Sequence, residues 1–378
     1  MSDHKADILI IGAGIAGASA AAELARTHRV MMLERESAPG YHSTGRSAAL
    51  FSEIYGNEVV RELSRASRPF FFDPPKNFPS RTLVRKRGSL HIASAAQRPA
   101  LDAFADNPDV KDAVKRVSQE KALALCPILR PEAVAEGVLE AAASDVDVHA
   151  LHDGYLRLFR HEGGTLATDA GVTALSWRNK SWTATTTAGT FSAPIVINAA
   201  GAWADQVAKL AGAAPQRIEP RRRTALLVEV PEAKAIDSWP MVIDIDESFY
   251  MKPDAGLLLV SPADETPIEP CDVQPEELDV AVAIDRLERA TTLQVTRVRK
   301  KWAGLRSFSP QRTPVIGFDP GAQGFFWLAG QGGYGMQTAP AIAALVAGVI
   351  RGDALLASLT GFDARRVAPV RSPTAQTA

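Results

Sequence analysis

Cysteine is nearly absent from this sequence: Cys126 and Cys271 are the only two in 378 residues. Two cannot make a disulfide framework, and neither belongs to a C-x-x-C pair. That scarcity suits a reducing compartment. An excess of charge of one sign is also missing. Lys and Arg number 42, Asp and Glu 43, and the formal net charge is −1, so nothing points to nucleic acid or an anionic membrane as partner. No hydrophobic run is long enough to cross a bilayer. The best stretch, Ala339 to Ile350, is short and carries Pro340 at its start. A secretory leader is imitated by Lys5, the apolar run after it and Ala20 to Ala22. Cleavage there would remove the glycine loop discussed next, and Asp3 and Asp7 stand where a leader wants positive charge. The expectation is a soluble cytoplasmic protein without membrane insertion. Metal spacing is absent as well. His149 and His152 are the one close histidine pair, with no cysteine or carboxylate at ligand spacing, so they read as structural. No nucleophile elbow or P-loop is found.

What is present begins at residue 7. An apolar run, Asp7 to Ile11, reads as a buried parallel strand. Gly12, Gly14 and Gly17 follow in G-x-G-x-x-G spacing, then the alanine-rich Ala16 to Ala25, which favours helix. A second apolar run, Val30 to Leu33, ends at Glu34. Gly12 permits a tight turn, Gly14 lets a pyrophosphate approach the backbone, and Gly17 lets helix and strand pack closely. The helix N-terminus offers unpaired N–H groups to phosphate. Glu34 can accept hydrogen bonds from a ribose. Strand, glycines, helix, second strand and acid in this order predict a dinucleotide site.

Further along, Tyr41 to Ala49 sets hydroxyls, Gly45 and Arg46 side by side. Such a loop either wraps phosphate or a ring edge, or caps the next helix. Residues 56 to 145 leave the Rossmann pattern. They carry a basic patch, Arg85 to Arg87, expected at a solvated edge, a strand at Ser89 to Ala93, and an interrupted helix over Leu101 to Leu125. The first pattern returns at 146 to 215, with a helix over Val148 to His161. A buried strand there runs into Ala199, Ala200, Gly201 and Trp203, a turn small enough for backbone to approach a cofactor. Residues 216 to 304 predict longer strands, an acidic surface loop from Pro262 to Pro275, and a helix over Asp279 to Ala290. Within Arg221 to Arg223 the first two read as solvated. Arg223 abuts the strand and is the better candidate for an inward guanidinium.

Arg306 lies among apolar and small neighbours, Trp302 to Leu305, where an unpaired guanidinium is costly. Its partner is either an internal carboxylate or a substrate carboxylate held bidentately. Phe325 to Ala329 then reads as a strand. Gly330 to Gly335 forms a second glycine loop, and Thr338 to Ile350 a helix. A nicotinamide enzyme with one Rossmann domain has no use for that second loop. A flavin embedded lengthwise, touching several segments, does.

The stretches GAGIAGAS (12–19), LERE (33–36), PGYHSTGRSAA (39–49), NAAGAW (198–203), DESFYMKPDAG (246–256), WAGLRSF (302–308) and GQGGYGMQT (330–338) span most of the chain. Together they resemble the D-amino-acid-oxidase-like flavoproteins, and most of all their soluble D-arginine dehydrogenase branch. The resemblance implies an α/β fold with a discontinuous Rossmann-type FAD-binding domain (1–55, 146–215 and 305–378). It adds an α+β substrate-binding domain on an antiparallel sheet (56–145 and 216–304). It implies FAD contacts from Gly12, Gly14, Ala16, Gly17, Glu34 and Arg35. Ser43, Thr44, Gly45, Arg46, Ser47 and Ala48 follow on the loop, with Val172, Ala200, Gly201 and Trp203 beyond it. Gly332, Gly333, Tyr334, Gly335 and Gln337 complete the set. Arg306, Arg223 and Tyr250 would hold a substrate α-carboxylate, with Tyr55 and the Gly333 backbone near the amine.

The implied reaction is hydride transfer from Cα of a D-amino acid to flavin N5, then hydrolysis to a 2-keto acid and ammonia. The electron acceptor that restores the flavin is not readable. The branch pairs a cationic substrate end with a glutamate, where this chain has Ser89 with no acid nearby. It also has a histidine where this chain has Leu50. Neutral or apolar D-amino acids are therefore expected over D-arginine. A weaker variant is an acidic substrate drawn by Arg85 or Arg87. Rival readings are a dehydrogenase or oxidase of glycine, sarcosine or another secondary amine, a flavin-holding subunit of a larger assembly, and an NAD-linked dehydrogenase.

Overall fold

Ile8–Ile11 is buried along its whole length because strands cover both its edges and helices and a second sheet cover its faces. The computed structural model describes residues 3–230, 236–353 and 357–370; the outer parts of the expected domain segments (1–2, 354–356, 371–378) and residues 231–235 lie outside them. Around Ile8–Ile11 a six-stranded sheet runs in the order Thr165–Ala167, Val30–Leu33, Ile8–Ile11, Ile195–Asn198, Phe325–Ala329, Val315–Phe318. All its pairs are parallel except the last. The helix Ile15–Leu24 is half alanine, with Gly17 and Ser19 also small, so it lies close to the sheet and packs against the helices Val148–His161 and Gly335–Arg351. A four-stranded sheet (Asp3–Lys5, Gly189–Ala193, Ser181–Thr186, Val172–Arg178) packs Trp182 and Phe191 against the other face, beside Leu9 and Trp327.

The second large sheet has ten strands. From the edge strand Gln331–Gly332 it runs through Val298–Phe308 and Glu219–Val228, which pair over most of their length, to Leu257–Ser261, Tyr250–Asp254, Met241–Asp244, Ser89–Ala93, Glu136–Glu140 and Lys115–Ser118, and the short Thr266–Pro267 pairs with Glu219–Val228 off this path. It is antiparallel apart from one parallel pair, Met241–Asp244 with Ser89–Ala93. Period-2 alternation divides its residues. Leu226, Val228, Val242, Met251 and Leu258 join a core with Ala283 and Leu287 of the helix Glu277–Ala290. Arg223, Ala225, Met241, Ile243 and Tyr250 belong to the other set and line a cavity.

Several expectations are corrected. Leu101 to Leu125 is two helices, Arg98–Ala105 and Gln119–Leu125, with the strand Lys115–Ser118 between them. Asn107-Pro108 stops the first helix, and pairing with Glu136–Glu140 makes the strand. Arg222 is not solvated. It is 3% exposed and ion-paired to Asp264, Glu276 and Asp279, because alternation turns it toward the N-terminus of Glu277–Ala290. Arg87 is buried too, bound to Asp145 and to the carbonyls of Asp237 and Trp239, while Arg85 stays at the surface. The loop after Pro262 is not wholly a surface loop, since Asp264 and Glu265 turn inward to Arg222 and Arg223. The expected boundary at 305 falls inside the strand Val298–Phe308.

Candidate active site

One elongated cavity runs between the two large sheets, from Gly12 and Glu34 to Tyr250 and His91. At the Rossmann end Gly12 has φ +105°, a conformation that favours glycine. Glu34 is anchored by backbone: Oε2 accepts from the Ala13 N–H at 2.8 Å and Oε1 from the Glu36 N–H at 3.0 Å. Arg35 lies over the Trp203 ring at 4.2 Å and pairs with Glu36. His42 also hydrogen-bonds Glu36, and this bond, with Arg35 beside it, holds the Glu36 carboxyl below the usual carboxylate range.

The Tyr41 to Ala49 loop does cap a helix, but an earlier one. Thr44 Oγ1 accepts from the Ile15 N–H at 3.0 Å, serving a helix whose own N-cap, Gly14, has no side chain to offer. The loop also reaches the second sheet. Ser43 donates to the Leu305 carbonyl at 2.7 Å, Arg46 to the Val273 and Ala303 carbonyls, and the Trp302 indole to the Arg46 carbonyl. Ser43, Thr44, Arg46, Ser47 and Ala48 all line the cavity.

Mid-cavity, Gln337 is 2% exposed. Its Oε1 accepts from the Ser52 N–H and its Nε2 donates to Ser64. Ser52 and Ser89 in turn donate to Glu140, which also accepts from the Glu53 N–H. Ser89 therefore does have an acid beside it, contrary to the sequence reading. Burial pushes the Glu140 carboxyl up, and it does not line the cavity.

At the far end Arg306 meets Tyr55, its Nη1 donating to the phenol oxygen at 3.0 Å. Among the described residues no carboxylate lies within ion-pair distance of Arg306. Arg223 differs: it donates to the Asp264 carbonyl at 2.7 Å and pairs with Glu265 at 3.1 Å. Burial would raise the Tyr250 phenol, but the Arg306 and Arg223 charges outweigh it and hold the phenol below its ordinary value. Tyr334 packs edge-on to Tyr55, and burial pushes it up to about 12. Gly333 passes so close that a Cβ there would lie 2.9 Å from the Arg306 guanidinium carbon. Gly333→Ala should therefore displace Arg306 and lower kcat/KM per flavin-loaded enzyme about 10–100-fold, in line with a 1 Å misplacement in a positioned site. Steady-state kinetics beside the visible spectrum checks this, and an unaltered kcat/KM refutes it.

Of the residues expected at the site, Tyr55, Arg223, Tyr250, Arg306 and Gly333 share this cavity wall, and Val172, Ala200, Gly201, Trp203, Gly332, Gly335 and Gln337 line it elsewhere. Gly17, Gly45 and Tyr334 do not. Gly17 backs onto Gly12, Gly45 onto the Gly40 carbonyl, and Tyr334 onto Tyr55. Sequence reasoning missed His91, Met241, Ile243, Glu247 and Trp302, which line the cavity. Glu247 is exposed and sits at φ +52°, uncommon for a non-glycine residue. Neither Arg85 nor Arg87 lines the cavity, so the acidic-substrate variant loses its cations. Among the described residues no cluster suits a metal ion, and no helix is long and apolar enough to cross a membrane.

A sequence model described as DAO, FAD dependent oxidoreductase, matches residues 7–349. The uncharacterized oxidoreductase YurR of Bacillus subtilis (strain 168) is 27% identical, over 94% of this chain and 97% of its own. Mitochondrial dimethylglycine dehydrogenase of Mus musculus is 24% identical over 88% of this chain, which spans only 41% of that protein. Among solved structures, glycine oxidase from Geobacillus kaustophilus superposes with a TM-score of 0.84 at 21% identity, covering 98% of this chain and 99% of its own.

Proposed function

The chain belongs to the DAO family of FAD-dependent oxidoreductases, and on that premise we propose that it oxidises small α-amino acids, D-amino acids foremost, at the carbon bearing the amine. One observation carries the reading: Arg306, partly buried on the cavity wall, has among the described residues a phenol for its only side-chain hydrogen-bond partner and no carboxylate. A cation left so asks for an anion from outside. The substrate α-carboxylate supplies it, with Tyr250 and Arg223 completing the clamp.

FAD fits the rest of the cavity. The glycine turn and Glu34 suit its adenosine end, and His42 Nδ1 and Gln331 Nε2, both on lining residues, are buried without a partner. Gly12, Gly14, Glu34, Thr44, Gly201 and Gln337 would hold it. When bound, FAD supplies the acceptor for the hydride leaving Cα. The protein's own task is placement. Arg306 and Tyr250 fix the carboxylate, Tyr55 is tied to Arg306, and Gly333 leaves room for both. Positioning of this kind contributes about 7–11 kcal/mol toward a barrier. The amine must first give up its proton to water so that its lone pair assists hydride loss; because the Cα hydrogen leaves as hydride and not as a proton, no strong side-chain base is required at Cα. Water then converts the imine to a 2-keto acid and ammonia.

D-Arginine is disfavoured in this reading, since Leu50, Met241 and Ile243 line the cavity near the clamp and Glu247 is solvated, where ion pairs are worth little. A second reading, oxidation of secondary amines, is favoured by the similarity to dimethylglycine dehydrogenase over 88% of the chain. Anaerobic flavin bleaching with D-alanine, D-leucine, D-arginine, sarcosine, D-proline and the L-forms separates the two. Bleaching by sarcosine alone would replace the first reading with the second. Bleaching by none would leave a flavin-holding subunit.

A further inference from the structure

Building on the amino-acid reading, we propose that His91 recognises the far end of the substrate side chain and selects D-amino acids whose side chain carries a neutral hydrogen-bond acceptor, an amide or phenol oxygen. His91, Ile243 and Tyr250 are register neighbours on three adjacent strands, and all three line the cavity. Strands lie about 4.8 Å apart, so the row places the His91 backbone about 10 Å from that of Tyr250. A substrate held by its carboxylate at Tyr250 and Arg306 can run its side chain over Ile243, with Met241 alongside, toward the imidazole. The middle of this subsite is apolar and its end is not.

The ring's chemistry sets the preference. Nδ1 is buried with no partner, and the imidazole packs against the Phe104 ring with centroids 4.7 Å apart. No hydrogen bond to either ring nitrogen is found among the described residues, and Nε2 is not among the buried unpartnered atoms. Burial pushes the imidazole down to about 4, so at neutral pH it carries one proton. A proton on Nδ1 would be an orphaned buried donor, so Nε2 holds it. The cavity wall therefore presents a donor. Guanidinium and ammonium ends are donors only and cannot answer it. A carboxylate end could, but it must shed its hydration in an apolar subsite.

The test compares kcat/KM for near-isosteric pairs: D-glutamine with D-methionine, D-asparagine with D-leucine, D-tyrosine with D-phenylalanine. In the FAD-loaded wild type the polar member should be preferred. His91→Leu should lower the polar-to-apolar ratio about 10-fold or more, the worth of one hydrogen bond in an enclosed site, while leaving the apolar members within a few-fold. His91→Gln, which keeps a donor, should recover part of the ratio, and it serves as the test if the leucine variant does not fold. A ratio unchanged in either variant overturns the His91 assignment and leaves amino-acid oxidation standing. Bleaching by no amine overturns both.

Discussion

Arg306→Met should lower kcat/KM for the best amino acid by about 10²–10³-fold, from the 2–5 kcal/mol that truncating one partner of a buried charge pair costs. Both kcat and KM should suffer, because the carboxylate contact also aligns Cα. Arg306→Lys should recover little, since a point charge does not reproduce a planar fork. Stability should move the other way. Without substrate, Arg306 is a partly buried cation with only a phenol for side-chain partner among the described residues, and replacing such a group with an apolar one of similar volume is neutral or stabilising. The ligand-free variant should melt at or above the wild-type temperature, and a 2-keto acid should no longer raise it. Loss of stability together with loss of activity would show that Arg306 is structural and would sink the clamp.

Gly17→Ala should yield little folded, flavin-loaded protein. Its Cβ would lie 1.9 Å from the Gly12 carbonyl oxygen, a backbone atom that cannot yield without parting the helix Ile15–Leu24 from its strand. Gly14→Ala makes the contrast. There the nearest atom to an added Cβ is Thr44 Oγ1 at 3.2 Å, so the apoprotein should fold with a native circular dichroism spectrum. The methyl would instead stand where phosphate approaches, and flavin occupancy should drop. The ratio of absorbance at 450 and 280 nm, read beside the melting temperature, separates the two effects. Equal folding of both variants would show that the turn has room the geometry denies.

Local chemistry made the dinucleotide half legible. Glycine spacing, an apolar strand on either side and a terminal acid are all read within residues 7 to 34, because turn, helix and parallel strands are there set by short-range sterics. Val148–His161, Ser89–Ala93 and Phe325–Ala329 were legible for the same reason, since their periodicity and flanking residues agree. Resemblance supplied Arg306, Tyr250 and Tyr55 as a set.

What the sequence left open was which way side chains face. Alternation in a strand gives two sets of residues without saying which is covered by a helix and which by a cavity. Leu90 and Ile92 went to the core, so His91 went to the cavity, and that followed only from the pairing of Ser89–Ala93 with Met241–Asp244. The same uncertainty hid Arg222, whose partners Asp264, Glu276 and Asp279 are remote in the chain. It hid Glu140, which reaches Ser89 across an antiparallel pair. The sequence by itself determined that a dinucleotide turn exists and where it lies. Tertiary structure alone decided which charges are neutralised within the protein and which, like Arg306, are left facing a cavity, because that depends on groups that only long-range pairing brings together.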